Sequence, residues 1–532
     1  MAIFNVKDYG AYGDNVHNDT QAFIAASAAL TAANGGTLLI PAGTYLVGEQ
    51  TYVGPNSLDY CYFGKDIITI TDCQNPVLID GSAAVLRLAG DMKFGSFHPV
   101  TGESYIPPST PFTNYQYRAT VGRMIVLVNN HASVTVRNLE LDGNSTSVKL
   151  GGKWGDTGYQ LTGYGIYAYG NRELLLSNIH THHHCLDGVY IGQVAAQATA
   201  TSPRTSATLI NVRAEYNARQ GLSWVGGNGL TAIGCKFNHT GKGKFGSSPQ
   251  AGVDIEASAG AFNRNGLFLN CEMINNGGPN MGADSGDSAD ISFMNCTFLA
   301  TTNTGYAALP FKKRMHFSDC TFSGVVVKCY GDPSLPVNKN SEGNATRFSR
   351  CRFTDTLTYQ GQVYAPNNTY LLDLGAGSQG VKFNDCVVET TKTRIGYTNG
   401  YTTAINCQFY QSGSDQSAFR GILLGHTTLS APTLAQLDNS VVLGYALFNG
   451  TEYHQPTNMP QRRQQIWANN GNGGSLQRVG YGSSPTDFLG SDSAQHGDIV
   501  YNCDAVSGAP AGWVCVSSGA PGVWKAFATI AN

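Results

Sequence analysis

Seven tetrapeptides strung through the middle of the chain share one pattern, and that pattern leaves few folds open. They are Gly234-Cys235-Lys236-Phe237, Asn270-Cys271-Glu272-Met273, Asn295-Cys296-Thr297-Phe298, Asp319-Cys320-Thr321-Phe322, Arg350-Cys351-Arg352-Phe353, Asp385-Cys386-Val387-Val388 and Asn406-Cys407-Gln408-Phe409. Asn138-Leu139-Glu140-Leu141, Asn178-Ile179 and Asn211-Val212 are earlier copies with an aliphatic residue for Cys, and successive copies stand 21 to 40 residues apart. Each copy alternates small apolar, polar, large apolar, as a strand with one buried face does. Tandem strands at this spacing predict a solenoid of parallel rungs about 4.8 Å apart. The seven Cys then form one inward column of small hydrophobes and are expected to be free thiols. A total of 13 Cys is odd and fits no complete disulfide framework.

A second strand in each rung opens on Gly: Gly165-Ile166-Tyr167-Ala168-Tyr169, Gly188-Val189-Tyr190-Ile191, Gly221-Leu222-Ser223-Trp224 and Gly252-Val253-Asp254-Ile255-Glu256. Gly282-Ala283-Asp284 aligns as the next copy, which sets Asp284 one rung beyond Asp254. Inward positions are Ile166, Val189, Leu222, Val253 and Ala283; outward ones are Tyr167, Tyr190, Ser223, Asp254 and Asp284. A solenoid must also cover its terminal rungs. Asp19-Thr20 followed by Phe23, Ala26 and Leu30 predicts an N-capped amphipathic helix for that role, ending at Asn34-Gly35-Gly36.

Composition agrees. Charged residues are 13% of the chain and there are 64 Gly, a turn-rich all-β profile, while 42% hydrophobic residues suffice for a core. A net charge of −3, with no basic cluster beyond Gln461-Arg462-Arg463, argues against a nucleic-acid partner. No apolar run approaches a membrane span, and Met1-Ala2-Ile3-Phe4-Asn5 does not open a Sec signal. The expected divisions are 1–50, N-terminal cap; 51–450, solenoid; 451–480, linker; and 481–532, a small β module. Cys503 and Cys515 of that module either pair across neighbouring strands or pack as two thiols.

The run Asn5-Val6-Lys7-Asp8-Tyr9-Gly10-Ala11-Tyr12-Gly13-Asp14, then Asp19-Thr20, Gly35-Gly36 and Pro41-Ala42-Gly43-Thr44-Tyr45, resembles the N-terminal signature of the pectate-lyase-like superfamily. The resemblance implies a right-handed parallel β-helix acting on a polysaccharide, as in pectinases, alginate epimerases and phage tailspike depolymerases. The tailspike branch implies a homotrimer on a virion or outside the cell. A hydrolase of this kind implies no cofactor, and a lyase implies calcium. Paired Asp-Asp and Gly-His-Gly, which mark pectinases, are absent. Gly252-Val253-Asp254-Ile255-Glu256 is similar to the Gly-Phe-Asp-Pro-His stretch of alginate epimerases, with Ile255 and Glu256 departing from it.

Cleaving a polysaccharide takes one group that moves a proton and another that activates water or stabilises charge. Asp254 and Glu256 are the leading candidates: two residues apart on one strand, they share its outward face. Asp284 is next, and Asp187 is either a turn residue or a partner across the groove. Candidate substrate contacts are the outward aromatics Tyr167 and Tyr190, with Trp224, His182, His184, Lys242 and Lys244. His180, His182 and His184 alternate and so are expected on one strand face. Steps of about 6.7 Å along a flat strand argue against convergence on a metal.

Overall fold

The computed structural model describes residues 2–531 except 57–59, 109–114, 155–159, 194–205, 302–305 and several stretches between 333 and 495. It divides into two compact units, residues 1–325 with 358–367, and residues 326–357 with 368–532.

In the first unit two parallel sheets alternate along the chain. Successive long-sheet strands Ser133–Asp142, Glu173–His182 and Ser206–Glu215 pair in parallel, in register over nearly their whole length. Between them run the strands of a second parallel sheet, Ile125–Val128, Ile166–Tyr169, Asp187–Gly192, Gln220–Trp224, Ala251–Ile255 and Met281–Ala283. This is the right-handed parallel β-helix that the repeat predicts.

The repeat's first residue has a physical reason. Asn138, Asn178, Asn211, Asn270, Asn295 and Asp319 all have φ between 51° and 57°. This left-handed region costs most L-residues energy, but Asn and Asp enter it readily. The kink reverses the alternation: Leu174 and Leu176 face in before Asn178, Ile179 and Thr181 after it. The Asn side chains also bond rung to rung, Asn178 Nδ2 donating to Asn138 Oδ1 at 3.2 Å and Asn211 Nδ2 to Asn178 Oδ1 at 3.0 Å. Cys follows the kink as the first inward residue, and each of the seven is 2% exposed or less. Cys271, Cys296 and Cys320 are free thiols whose Sγ donates to Ala232, Phe268 and Phe293 carbonyls of the preceding rung at 3.4–3.5 Å. Deeper in, Phe268, Phe293 and Phe317 stack with ring centres 4.6 and 5.0 Å apart, close to the rung spacing.

Helix Thr20–Ala32 buries Phe23, Ala26 and Leu30. Asp19 does not cap it: its carboxylate instead accepts the amides of Tyr12 and Gly13 at 2.7 and 3.0 Å, tying down the preceding loop.

In the second unit parallel pairing continues to Ala446–Phe448, and the next strand, Thr451–Tyr453, is antiparallel to it. A five-stranded, mostly antiparallel sheet follows. It includes Arg463–Ala468 and Ser475–Gly482, so with Thr451–Tyr453 the stretch 451–480 expected as linker holds three strands, the last running on to Gly482; its other residues lie outside the described ones. Polar, Gly- and Asn-rich composition hid them. Cys503 is exposed and Cys515 buried, both free. The register sets Ile499 opposite Val514, which leaves these Cys toward opposite ends of the strand pair and rules out the bond considered above.

Candidate active site

The outward side of the second sheet changes character from rung to rung. Register aligns Tyr167, Tyr190, Ser223, Asp254 and Gly282 in one row. At the aromatic end Tyr167 and Tyr190 stack at 4.8 Å and 13°. Tyr164 meets both edge-on, and the Arg123 guanidinium, paired with Asp66, lies 4.8 Å from the Tyr167 ring centre. Two of the candidate sugar-binding aromatics are thus brought together, with one face of Tyr167 already covered. Trp224 is not with them. It alternates with Ser223, points inward and is 1% exposed, so it is core and meets no substrate.

At the polar end the strand starts matter. Asp187 aligns with Gln220, each first in its strand. The Asp187 carboxylate is wholly buried and accepts Arg219 Nε at 2.6 Å and Ser223 Oγ at 2.7 Å. It is therefore no solvated turn residue. The single Ser223 hydroxyl proton lies between Asp187 Oδ2 and Gln220 Oε1, and Gln220 Nε2 donates to Asp254 Oδ2, so one row of polar contacts runs from Asp187 to Asp254. Burial, more than charge, sets the proton affinity at its end. Asp254 is 7% exposed, and its carboxyl is pushed up to about 7, first by burial, then by the Glu256 charge, with Arg219 opposing and Asp284 and Asp187 adding. Burial also lifts Tyr190 to about 12, with Tyr167 and Asp187 adding, so that phenol is a donor near neutral pH.

Asp284 is not one rung beyond Asp254. Asp254 pairs with Gly282, which places Asp284 two residues further along, level with Glu256. Met281 and Ala283 are both inward and both buried, so alternation alone fits either register. Glu256 is exposed and accepts Ser285 Oγ at 2.5 Å. Lys312, which the sequence did not single out, lies within electrostatic reach of Asp284, Asp287 and Glu256; burial lowers its proton affinity against their pull. Among the described residues these carboxylates do not gather three donor atoms within 4.8 Å, so the calcium implied for a lyase finds no carboxylate cage here.

The remaining candidates lie on the long sheet. His180 and His182 share its outward face, but His183 has φ 54°, and the chain turns His184 into the interior. There it is 3% exposed with Nε2 3.1 Å from the Leu141 carbonyl, and burial drives it down to about 3. No sugar reaches it. Lys244 donates to the Thr146 and Val148 carbonyls at 3.2 and 2.7 Å, holding a loop together, while Lys242 stays exposed.

Two family descriptions match the chain. Residues 3–54 match "Rhamnogalacturonase A/epimerase, pectate lyase-like", and residues 124–341 match "Right handed beta helix region". The matches thus set a pectate-lyase-like start ahead of a right-handed β-helix region. A curated relative, mannuronan C5-epimerase AlgE1 of Azotobacter vinelandii, is 43% identical over 84 residues, which is 15% of this chain and 6% of that protein. The chain therefore spans only a small part of that relative's length. Among solved structures, the bacteriophage Phi29 gene product 12 N-terminal fragment aligns with 85% of this chain and 73% of its own, at 13% identity and TM-score 0.47. The A-module of Azotobacter vinelandii mannuronan C-5 epimerase AlgE6 aligns with 84% of this chain and 99% of its own, at 16% identity and TM-score 0.37.

Proposed function

We propose that this β-helix protein is a polysaccharide-cleaving enzyme of tailspike type, working on a bacterial surface or exopolysaccharide along the outward face of the second sheet. The observation that carries the reading is Asp254. An outward carboxyl whose proton affinity sits near neutrality is suited to protonate a leaving glycosidic oxygen at physiological pH. Glu256, just past the strand end and two residues on from Asp254, is the partner carboxylate of the pair that retaining and inverting hydrolases use. Tyr190, two rungs from Asp254, and Tyr167, three rungs away, offer aromatic surface and hydroxyls to sugars. Asp187 and Arg219 are positioning residues that act on Asp254 through Ser223 and Gln220.

A second reading, a lyase or uronate epimerase, is favoured by the identity of the curated relative. A protonated Asp254 would then donate a hydrogen bond to the uronate carboxylate. Incubating the protein with purified capsular and exopolysaccharides, with reducing ends and ultraviolet absorbance followed together, separates the two. Reducing ends without absorbance support hydrolysis, and rising absorbance marks the unsaturated product of a lyase. Binding with neither would leave an epimerase, which a change in uronate composition by NMR would reveal, or a glycan-binding fibre. The tailspike reading also includes a homotrimer, and light scattering at the 56.6 kDa chain mass would count against it.

A further inference from the structure

The other outward surface, on the long sheet, carries a group of side chains for which the cleavage reaction has no use. Glu140 and Asp142 on strand Ser133–Asp142 pair across the ladder with His180 and His182 on the next strand. The two imidazole rings do not splay apart at the strand step. Their centres are 4.2 Å apart, leaning together over Glu140. They adjoin an open groove of about 540 Å3 lined by Ser82, Ala84, Asn138, Glu140, His180 and Arg213.

We propose that Glu140, His180 and His182 form a binding site for a divalent transition-metal ion such as Zn2+, with a further coordination position open to the groove.

The distances favour a shared ion over direct hydrogen bonds. His182 Nε2 is 3.4 Å from Glu140 Oε1 and His180 Nδ1 is 4.0 Å from Glu140 Oε2, both longer than a good N–H···O bond. Metal bonds of about 2.0–2.2 Å in a tetrahedron give ligand-to-ligand edges of roughly 3.3–3.6 Å. One donor atom from each of the three residues already lies within 4.8 Å of the others, so small side-chain rotations close the site.

The other ring nitrogens face polar partners, as those of ligating imidazoles do, at hydrogen-bond length for His182 and somewhat longer for His180. His180 Nε2 is 3.4 Å from Glu215 Oε2, and His182 Nδ1 is 2.7 Å from His183 Nδ1. Charge follows the same division. Arg213 pairs with Glu215 and Arg87 with Asp142, whereas the ionic partners of Glu140 among the described residues are the two histidines. Asp142, His182 and His183 also converge, but the 2.7 Å between imidazole nitrogens is a hydrogen-bond length, too short for two ligands of one ion. Two imidazoles and one carboxylate suit borderline ions of the Zn2+ type and not calcium, which takes six to eight oxygens.

The test is calorimetric titration of the untagged, chelator-treated full chain with Zn2+, beside visible spectra with Co2+. One equivalent of Zn2+ should bind, and Co2+ should give d–d bands of a mixed nitrogen and oxygen site. Glu140→Gln and His182→Ala should remove both signals, and His183→Ala should weaken binding about 10- to 100-fold. Absence of stoichiometric uptake by the native chain overturns the proposal. So does uptake unchanged in Glu140→Gln, or calcium binding as tight as Zn2+. Should His182→Ala fail to fold by circular dichroism, the near-isosteric Glu140→Gln and the native Co2+ spectrum decide.

Discussion

Inside the long sheet neighbouring rungs come to repeat one another: Phe268, Phe293 and Phe317 stack ring on ring, and Cys271, Cys296 and Cys320 follow the same kink one above another. Outside the second sheet the row changes along its length: Tyr167 and Tyr190 give way to Ser223, Asp254 and Gly282, four kinds of residue in five rungs. The difference is physical. An inward position meets the same two neighbours in every rung, so one solution serves throughout. An outward position is not held to the repeat by the core, so its partners differ from rung to rung, and a departure from the repeat there calls for another cause. Stability is therefore spread along the interior, and chemistry is concentrated at single outward rungs.

The largest effect that would sharpen this contrast is on activity. Asp254→Asn should lower the rate of glycan cleavage by about 10²–10⁴, the usual worth of a general acid or base. Glu256→Gln should act in the same direction, and because Glu256 is exposed its thermal melt should change by no more than about 0.5 kcal/mol equivalent. Reducing-end release beside a melt checks both. Full activity in both variants would move the reaction off this row.

The interior should answer oppositely. Phe293→Ala removes the middle ring of a three-ring stack at a fully buried position, and large-to-small changes of this kind cost about 3–5 kcal/mol. Denaturant unfolding should show that loss, with the activity of the surviving folded fraction retained. A loss below 1 kcal/mol would mean the stack collapses to fill the gap, and the interior would be less uniform than its geometry implies.

These two surfaces also explain what could be read from the chain. The kink residue, the Cys that follows and the large apolar residue beyond recur often enough for the rungs to be found by alignment alone. Outward candidates followed from alternation, which placed Tyr167, Tyr190, Asp254 and Glu256. It failed where alternation is ambiguous or broken: at Asp284, where inward Met281 and Ala283 allow either register; at His184, where a left-handed His183 turns the chain; and at Trp224, whose parity with Leu222 already marked it as inward. Arg219 and Gln220 were not read as site residues because strand starts lie at corners, where periodicity is silent. A signal was present, since Arg219-Gln220 precedes Gly221 as Leu186-Asp187 precedes Gly188. The leaning together of His180 and His182 depends on carboxylates 40 residues away in sequence, beyond any local pattern.

Acidity offers a smaller effect that joins the two regions, because an outward group here modifies stability. The folded Asp254 carboxyl sits at about 7, above the roughly 3.9 of an unfolded Asp. Between those values the folded chain holds a proton that the unfolded chain releases, so Asp254 makes stability fall as pH rises from about 4 to about 7 and adds no further slope above. Asp254→Asn should remove that part of the decline and be the more stable of the two at pH 8. Melting curves at pH 4, 6 and 8 on both proteins test it, and parallel curves would show that water reaches the carboxyl freely. The rate of a general acid should likewise fall as pH passes 7.

The smallest effect concerns the kink that separates interior from exterior. Asn178 combines two properties: it occupies the left-handed region at φ 54°, and its amide bridges Asn138 and Asn211. Ala lacks both abilities, whereas Gly keeps the backbone freedom and loses only the side-chain bonds. A left-handed conformation costs an ordinary L-residue roughly 1–2 kcal/mol, while exposed amide bonds contribute little beyond what water replaces. Asn178→Ala should therefore lose about 1 kcal/mol in denaturant unfolding, and Asn178→Gly clearly less. The ordering matters more than either value. If Gly loses as much as Ala, the bonded amide ladder holds the bend, and the repeat's first residue is conserved from rung to rung for its side chain. If Gly is the milder change, the residue is there for its backbone, and the amide ladder is a consequence of stacking many such bends in register.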